Sequence, residues 1–231
     1  MGCFGRVTPA QNTPHPILIA KLQNMFITFE GTEGSGKSSQ IDALAIYLRQ
    51  RGYDVLATRE PGGTSISEQV RAVLSNLDNT EMHPRTETLL FQAARAQLVE
   101  QVLRPHLARG GVLLSDRYAD STLAYQGYGH QQDLAQLRAL LAYVTGGLAP
   151  DLTLLFDLSV EEGLRRRAKG GEWNRLDAYG AAFYQRVRDG YHQLAREEPG
   201  RWVFIDAAQP PDVVQAVVRR VVGERLGIAG D

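Results

Sequence analysis

The sequence predicts an α/β fold: a five-stranded parallel sheet with helices on both faces. Three observations lead there. Short apolar runs alternate with longer amphipathic stretches along most of the chain. That alternation folds through right-handed crossovers into a parallel sheet. One run, Leu152 to Leu158, is apolar through most of its length, as a strand covered on both faces is. A glycine-rich turn follows the first strand-like run, and ligands of such folds bind outside the C-terminal strand ends. The 231 residues suffice for one large domain with its own core.

Each element has a local reason. Met25 to Glu30 reads as a buried strand. Ile41, Leu44, Ala45 and Leu48 then recur at helical spacing, and Gly52 ends that helix. Val55 to Thr58 is a short strand, and Ser65 to Ser75 a helix. A longer helix is expected from Pro84 to about Arg104, bent or ended by Pro105. Val112 to Ser115 is a third strand. Asp133 caps a helix that reaches Val144 and closes at Gly146 and Gly147. Leu152 to Leu158 is the fourth strand. Helices follow over about 161–168 and 177–197, separated by a Gly-Gly break. Trp202 to Asp206 is the fifth strand, and a valine-rich helix carrying Val213, Val214, Val217, Val218, Val221 and Val222 ends the chain.

Composition removes several classes of function. With 43% hydrophobic and 22% charged residues, the chain is neither disordered nor fibrous. No apolar run approaches the ~18 residues of a membrane helix, so no membrane partner is expected. The net charge of −1 does not suggest nucleic acid as a partner. The single cysteine, Cys3, gives neither an internal disulfide nor a cysteine metal site and suits the cytoplasm. Lysine is rare, with only Lys21, Lys37 and Lys169. Residues 1–24 carry three prolines and no acid and are expected to be a disordered extension before a domain spanning 25–231. Met-Gly-Cys opens like a lipidation signal, but Arg6 stands where Ser or Thr is required. Met25, which opens the first strand-like run, is an alternative start.

The strongest motif is Gly31-Thr32-Glu33-Gly34-Ser35-Gly36-Lys37-Ser38, followed by Ser39. It fits G-x-x-x-x-G-K-[ST] between a strand and a helix, the phosphate cradle of a P-loop NTPase fold. Backbone N–H groups and the helix N-terminus face the phosphates. Lys37 reaches the outer phosphates, and the Ser38 hydroxyl is a Mg²⁺ ligand. The motif implies a nucleoside triphosphate. It does not separate motor, switch and small-molecule kinase.

Other candidates stand at strand ends. Arg59-Glu60-Pro61-Gly62-Gly63-Thr64 follows the second strand and suits a second anion, although alone it reads as an ordinary turn. Asp116-Arg117-Tyr118 follows the third strand. An acid there suits metal-bound water, and an adjacent Arg clamps phosphate. Phe91 and Arg95 share one helix face, fit for stacking and bonding a base. Ser121, Thr122, Tyr125 and Gln126 offer further polar contacts. The segment Arg165-Arg166-Arg167-Ala168-Lys169-Gly170-Gly171-Glu172-Trp173-Asn174-Arg175 combines cations with a hinge. It reads either as a solvated helix end or as a small lid over about 165–176 that neutralises the migrating phosphoryl group.

Taken together, these segments resemble thymidylate kinase, a nucleoside-monophosphate kinase family, over about residues 25–226. The most specific pieces are Phe29-Glu-Gly-Thr-Glu-Gly-Ser-Gly-Lys-Ser, Arg59-Glu-Pro-Gly-Gly-Thr, Leu89-Leu-Phe-Gln-Ala-Ala-Arg95 and Asp116-Arg-Tyr-Ala-Asp-Ser-Thr-Leu-Ala-Tyr-Gln126. The resemblance implies phosphorylation of dTMP to dTDP by ATP and Mg²⁺, for dTTP synthesis. It implies that Gly31 to Ser39 hold ATP, with Lys37 on its phosphates and Ser38 and Asp116 at the metal. Arg59 and Arg117 hold the monophosphate. Phe91 stacks on thymine, Arg95 reaches O4, and Thr122 contacts N3, with Gln126 close by. Tyr125 lies under the deoxyribose, where a 2′-hydroxyl clashes, and Glu33 is near the 3′-hydroxyl. Arg167 or Lys169 serves from the lid, because Gly170 stands where the family has a basic residue. A homodimer is implied by resemblance alone.

Three alternatives are weighed beside this reading. One is another nucleotide kinase, acting on dUMP or a deoxynucleoside. A second is a P-loop GTPase, against which the missing Asn-Lys-x-Asp counts. A third is a catalytically inert nucleotide-binding protein, against which Lys37, Ser38, Arg59, Asp116 and Arg117 count.

Overall fold

The computed structural model describes residues 24–170 and 175–228. Residues 1–23, including Met1-Gly2-Cys3 and Lys21, lie outside the described residues. So do Gly171, Glu172, Trp173 and Asn174 of the expected lid.

Five strands form one sheet in the order β2-β3-β1-β4-β5, and every neighbouring pair is parallel. They are β1 (Met25–Glu30), β2 (Val55–Arg59), β3 (Val112–Asp116), β4 (Leu152–Asp157) and β5 (Trp202–Asp206). β1 is central and buried along its whole length, as its unbroken run Met-Phe-Ile-Thr-Phe-Glu requires. The register sets Phe29 beside Asp116 and Arg59 beside Asp116. Three chain exits are thereby levelled at one sheet edge.

The helices cover both faces. α1 (Lys37–Gln50) buries Ile41, Leu44, Ala45 and Leu48 against β1, joined there by α9 (Pro211–Leu226). α2 (Ser65–Ser75) starts where the Thr64 hydroxyl accepts the Ser67 N–H at 3.1 Å. α6 (Leu134–Thr145) starts where the Asp133 carboxylate accepts the Gln136 N–H at 2.9 Å, and ends at left-handed Gly146. α7 is Val160–Arg167 and α8 is Ala181–Glu197.

Three expectations need correction. The helix from Pro84 does not stop before Pro105. α3 (Pro84–Leu98) passes through a π-helical stretch, Val99–Leu103, into α4 (Arg104–Ala108). Pro105 is the second residue of α4, directly after the π-helical stretch. The helix expected over 177–197 starts only at Ala181, after a 3₁₀ turn at Arg175–Ala178. Sequence periodicity also missed α5 (Ala119–Thr122) and the π-helical stretch Leu123–Gly129. Small and turn-favouring residues hide this helix. Packing of Leu123 and Ala124 into a cluster with Phe183 and Val187 of α8 stabilises it.

Candidate functional site

A cleft of about 380 Å³ opens above the C-terminal ends of β1, β2 and β3. Its walls come from the loop after β1, the turn after β2, α3, the segment after β3 and the start of α8's approach. Most of the expected residues meet there. Glu33, Gly34, Gly36, Lys37, Ser38 and Ser39 form one wall. Arg59, Phe91, Arg95, Asp116, Arg117, Thr122, Tyr125, Gln126 and Arg167 also line it. Gly31, Thr32 and Ser35 lie just behind as the loop's inner frame. Lys169 is exposed and stands outside the lining.

The loop is held in shape by its own lysine. Lys37 Nζ donates to Gly31 O at 3.0 Å, Thr32 O at 2.9 Å and Ser35 Oγ at 3.2 Å. Burial, aided by the neighbouring Arg117 charge, pulls the ammonium down to about 8. Gly34 has φ +74, and a Cβ there meets the backbone of Gly163 in α7. Gly163 in turn faces the Glu33 carbonyl, 2.7 Å from where its own Cβ would sit. Loop and helix therefore touch backbone to backbone.

The metal expectation can be tested on its donors. Ser38 Oγ donates to Asp116 Oδ2 at 2.6 Å. A hydroxyl and a carboxylate so close offer hard oxygen donors. Mg²⁺ takes one or two such protein ligands, with waters and substrate phosphates. Among the described residues no larger His, Cys, Asp or Glu cluster forms a metal cage, which a nucleotide-borne Mg²⁺ does not need.

The anion side is arranged around Arg117. Its φ is +71, uncommon for a residue with a Cβ. Its guanidinium donates to Gly31 O at 3.0 Å and Glu33 Oε1 at 2.8 Å. It also lies 4.8 Å over the Tyr125 ring. The Tyr125 hydroxyl donates to both Glu33 oxygens, at 2.7 and 2.9 Å. Glu33 is thus a carboxylate inside a phosphate cradle that is neutralised by Arg117. Arg59 reaches both Glu68 oxygens, at 3.0 and 3.1 Å.

Arg95 lines the cleft from α3. It is buried, and Nε and Nη2 both approach Glu60 Oε2 at 2.7 Å. Nη2 also donates to Tyr118 O at 2.9 Å, and Nη1 to Gln92 Oε1 and Thr122 Oγ1 at 2.8 Å each. Four of the five guanidinium N–H groups are hydrogen-bonded within the protein, and Nη2 is also in ion-pair contact with Glu60. Thr122 Oγ1 accepts a second bond, from Gln92 Nε2 at 2.9 Å. Both of its lone pairs are filled, leaving its proton to give.

Sequence reasoning missed Glu60 as the Arg95 partner, Arg71 in the lining, and the hub at Glu87. Glu87 Oε2 accepts from Arg175 at 2.7 Å and from the Tyr179 hydroxyl at 2.9 Å. Its Oε1 accepts from Gln126 Nε2 at 3.1 Å and faces His130 at 3.2 Å. Burial pushes this carboxyl up, but the hydrogen bonds from His130, Arg175 and Tyr179 prevail and hold it at about 2. A polar residue directly after Arg-Thr in a helix's first turn gave no signal of such a role. Within the lid, Arg165 and Arg166 are tied to Glu162, and Arg167 Nη1 donates to Gly170 O at 2.9 Å.

Among the described residues no helix is long and apolar enough to cross a membrane. Comparison with known proteins agrees with the geometry. The sequence profile described as "Thymidylate kinase" matches residues 29–218. A thymidylate kinase of Roseiflexus castenholzii is 49% identical over 212 residues, covering 86% of this chain and 93% of that protein. One of Pseudomonas putida is 51% identical over 194 residues, covering 84% of this chain and 94% of that protein. The crystal structure of thymidylate kinase from Ehrlichia chaffeensis superposes with a TM-score of 0.71 at 34% identity, covering 87% of this chain and 99% of the other. With a parallel sheet, a lysine-framed phosphate loop and a cleft that this loop helps to line, the chain belongs to the thymidylate kinase family, enzymes that phosphorylate dTMP to dTDP with ATP and Mg²⁺.

Proposed function

We propose that this one cleft holds dTMP against the phosphate loop, so that its phosphate faces the ATP γ-phosphoryl group in line. The observation that carries the reading is the Ser38–Asp116 pair at 2.6 Å, in a cleft that Lys37, Arg59 and Arg117 also line. The attacking group is a phosphate oxygen of dTMP, already anionic at neutral pH. No strong base is needed, and rate comes from positioning and charge neutralisation. The Pγ–O bond to ADP breaks as the new bond to dTMP forms. Lys37 faces the ATP phosphates, Arg59 and Arg117 the monophosphate, and Arg167 the migrating group from above. Ser38 and Asp116 would hold Mg²⁺, which would supply charge neutralisation during the transfer. Lys169, exposed as it is, is the weaker lid candidate.

The bonds that Arg95 and Thr122 make within the protein bear on the pairing with thymine that the resemblance implies. Four Arg95 N–H groups are already bonded to Glu60, Gln92, Thr122 and Tyr118, and Thr122 Oγ1 already accepts two hydrogen bonds. We assign the Thr122 proton to a base carbonyl. The Gln126 amide is oriented by its bond to Glu87, which leaves Oε1 to accept N3–H. Phe91 stacks on the base, Tyr125 underlies the sugar, and Glu33 lies by its 3′-hydroxyl. Phe91→Ala is expected to raise the dTMP Kd by about 10- to 100-fold, the loss of one aromatic–base stack, with little change for ATP. Calorimetric titration with dTMP checks this, and an unchanged Kd removes the stacking role. A panel of dTMP, dUMP, dCMP, AMP and thymidine, coupled to ADP release, tests the whole reading. Preferred turnover of any other acceptor overturns it.

We also propose a homodimer, in the cytoplasm. α3 packs against both α2 and α6. The three carry exposed Ile66 (52%), Leu89 (53%) and Tyr143 (87%), apolar surface that a second copy of the chain would cover. Light scattering should give twice the 25.5 kDa chain mass. Leu89→Glu should shift it toward the monomer, and a monomeric parent chain refutes the assignment.

A further inference from the structure

Glu30 is a buried carboxylate that the transfer step described above does not use. It ends β1, immediately before the phosphate loop, and has no exposed surface. Its Oε1 accepts the Tyr118 N–H at 2.8 Å. Its Oε2 accepts from the Ser121 hydroxyl at 2.6 Å and the Tyr191 hydroxyl at 2.8 Å. These three donors surround Arg117. The Arg117 N–H bonds Phe29 O at 3.0 Å, and its carbonyl accepts from Ser115 Oγ at 2.8 Å.

The guanidinium is held from the same carboxylate. Arg117 Nη1 lies 3.3 Å from Ser121 Oγ and 3.3 Å from the Tyr191 hydroxyl oxygen. A hydroxyl has one proton. The two hydroxyls also lie 2.8 Å from each other, so their protons stay within the triangle they form with Glu30 Oε2, and both turn lone pairs toward the arginine. One carboxylate thus fixes the peptide that follows the left-handed Arg117 and sets the polarity of two groups that hold its side chain. Burial, followed by the charge of Asp120, pushes the Glu30 carboxyl up to about 7, against the pull of Ser121, Arg117 and Tyr191.

We propose that Glu30 is a positioning residue for phosphoryl transfer, acting through Arg117 without touching either nucleotide. The inference rests on the assignment of Arg117 to the phosphate. Glutamine has the same shape, but its amide nitrogen donates and cannot accept from a hydroxyl or the Tyr118 N–H. Misplacing a group that steers the reacting atoms is costly even over small distances. Glu30→Gln is therefore expected to lower kcat on the order of 10- to 100-fold, with KM for dTMP and ATP within about 3-fold of the parent.

The test is steady-state kinetics on the full chain for Glu30→Gln, Arg117→Ala and the double variant. In the Arg117→Ala background, Glu30→Gln should cost nothing further, because its effect travels through that arginine. Additive losses overturn the proposal, as does an unchanged kcat for Glu30→Gln beside an impaired Arg117→Ala. A fully active Arg117→Ala instead overturns the assignment of Arg117 itself. Tyr191→Phe removes one hydroxyl while keeping the ring. It should lower kcat by about 3- to 10-fold, also only while Arg117 is present, and it carries the test if Glu30→Gln fails to fold.

Discussion

Lys37→Ala is expected to lower kcat by about 100- to 1,000-fold or more, the scale for losing a preorganised charge at the site of transfer. The dTMP Kd should change little, since Lys37 faces the other nucleotide. Its ammonium is framed by Gly31 O, Thr32 O and Ser35 Oγ, so it enters the reaction already aimed. Stopped-assay kinetics with calorimetric dTMP titration check both halves. Near-normal turnover would remove the phosphate-loop assignment. The parent enzyme should also show a pH signature. The Lys37 pKa falls from 10.5 to about 8 on folding. Between these values the unfolded chain binds more protons, so this group's contribution to folding stability rises with pH. Attraction for ATP runs the other way: it is full below about pH 8 and fades above it. The ATP KM should climb across that window, and ATP binding there should take up protons.

The largest effect on stability is expected at Arg95→Met. The Arg95 and Glu60 side chains are only 2% and 4% exposed. Removing one partner of a buried ion pair typically costs about 3–5 kcal/mol, because the other charge is left stranded. Glu60 Oε1 already has no hydrogen-bond partner, so Oε2 alone carries the compensation. Burial raises the Glu60 carboxyl pKa above 4.5 even with Arg95 beside it, and removing Arg95 raises it further. A carboxyl raised on folding stabilises most when protonated, and that contribution is lost as pH rises through the folded-state value. The deficit of Arg95→Met should therefore be larger at pH 8 than at pH 5. Adding Glu60→Gln should recover most of it. Urea unfolding at both pH values measures this. A deficit below about 1 kcal/mol, typical of an exposed pair, would show that the pair is not buried in solution.

The sheet was legible because its signals are local. Met25 to Glu30 and Trp202 to Asp206 are strands over the same bounds in sequence and structure. Periodicity and caps located α1, α2 and α6. Helical residues 119–129 were not legible, since Ser121, Thr122, Gly127 and Gly129 are poor helix formers. Their helix exists through contact with α8, far away in sequence. The same division holds for the cleft. Lys37, Ser38, Arg59, Asp116 and Arg117 stand at strand ends, where chain order alone predicts a site. Arg71 and Glu87 reach it only through tertiary packing, and nothing in their neighbours' identities announces them, while Glu60 stands at a strand end but its pairing with Arg95 does not show in the chain order. The engagement of Arg95 belongs to this second kind. Spacing located the residue, but only three-dimensional structure could count its bonds.

The meeting of Gly34 with Gly163 has a mechanical consequence. Side chains normally lie between packed elements and absorb small displacements by changing rotamer. Here no such cushion exists, because carbonyl and Cα lie in direct contact. Dense packing transmits strain with little give. A displacement of the loop at Gly34 would pass straight to α7, which ends at Arg167. A side chain at Gly163 would meet the Glu33 carbonyl, so size, not chemistry, is the variable that matters there.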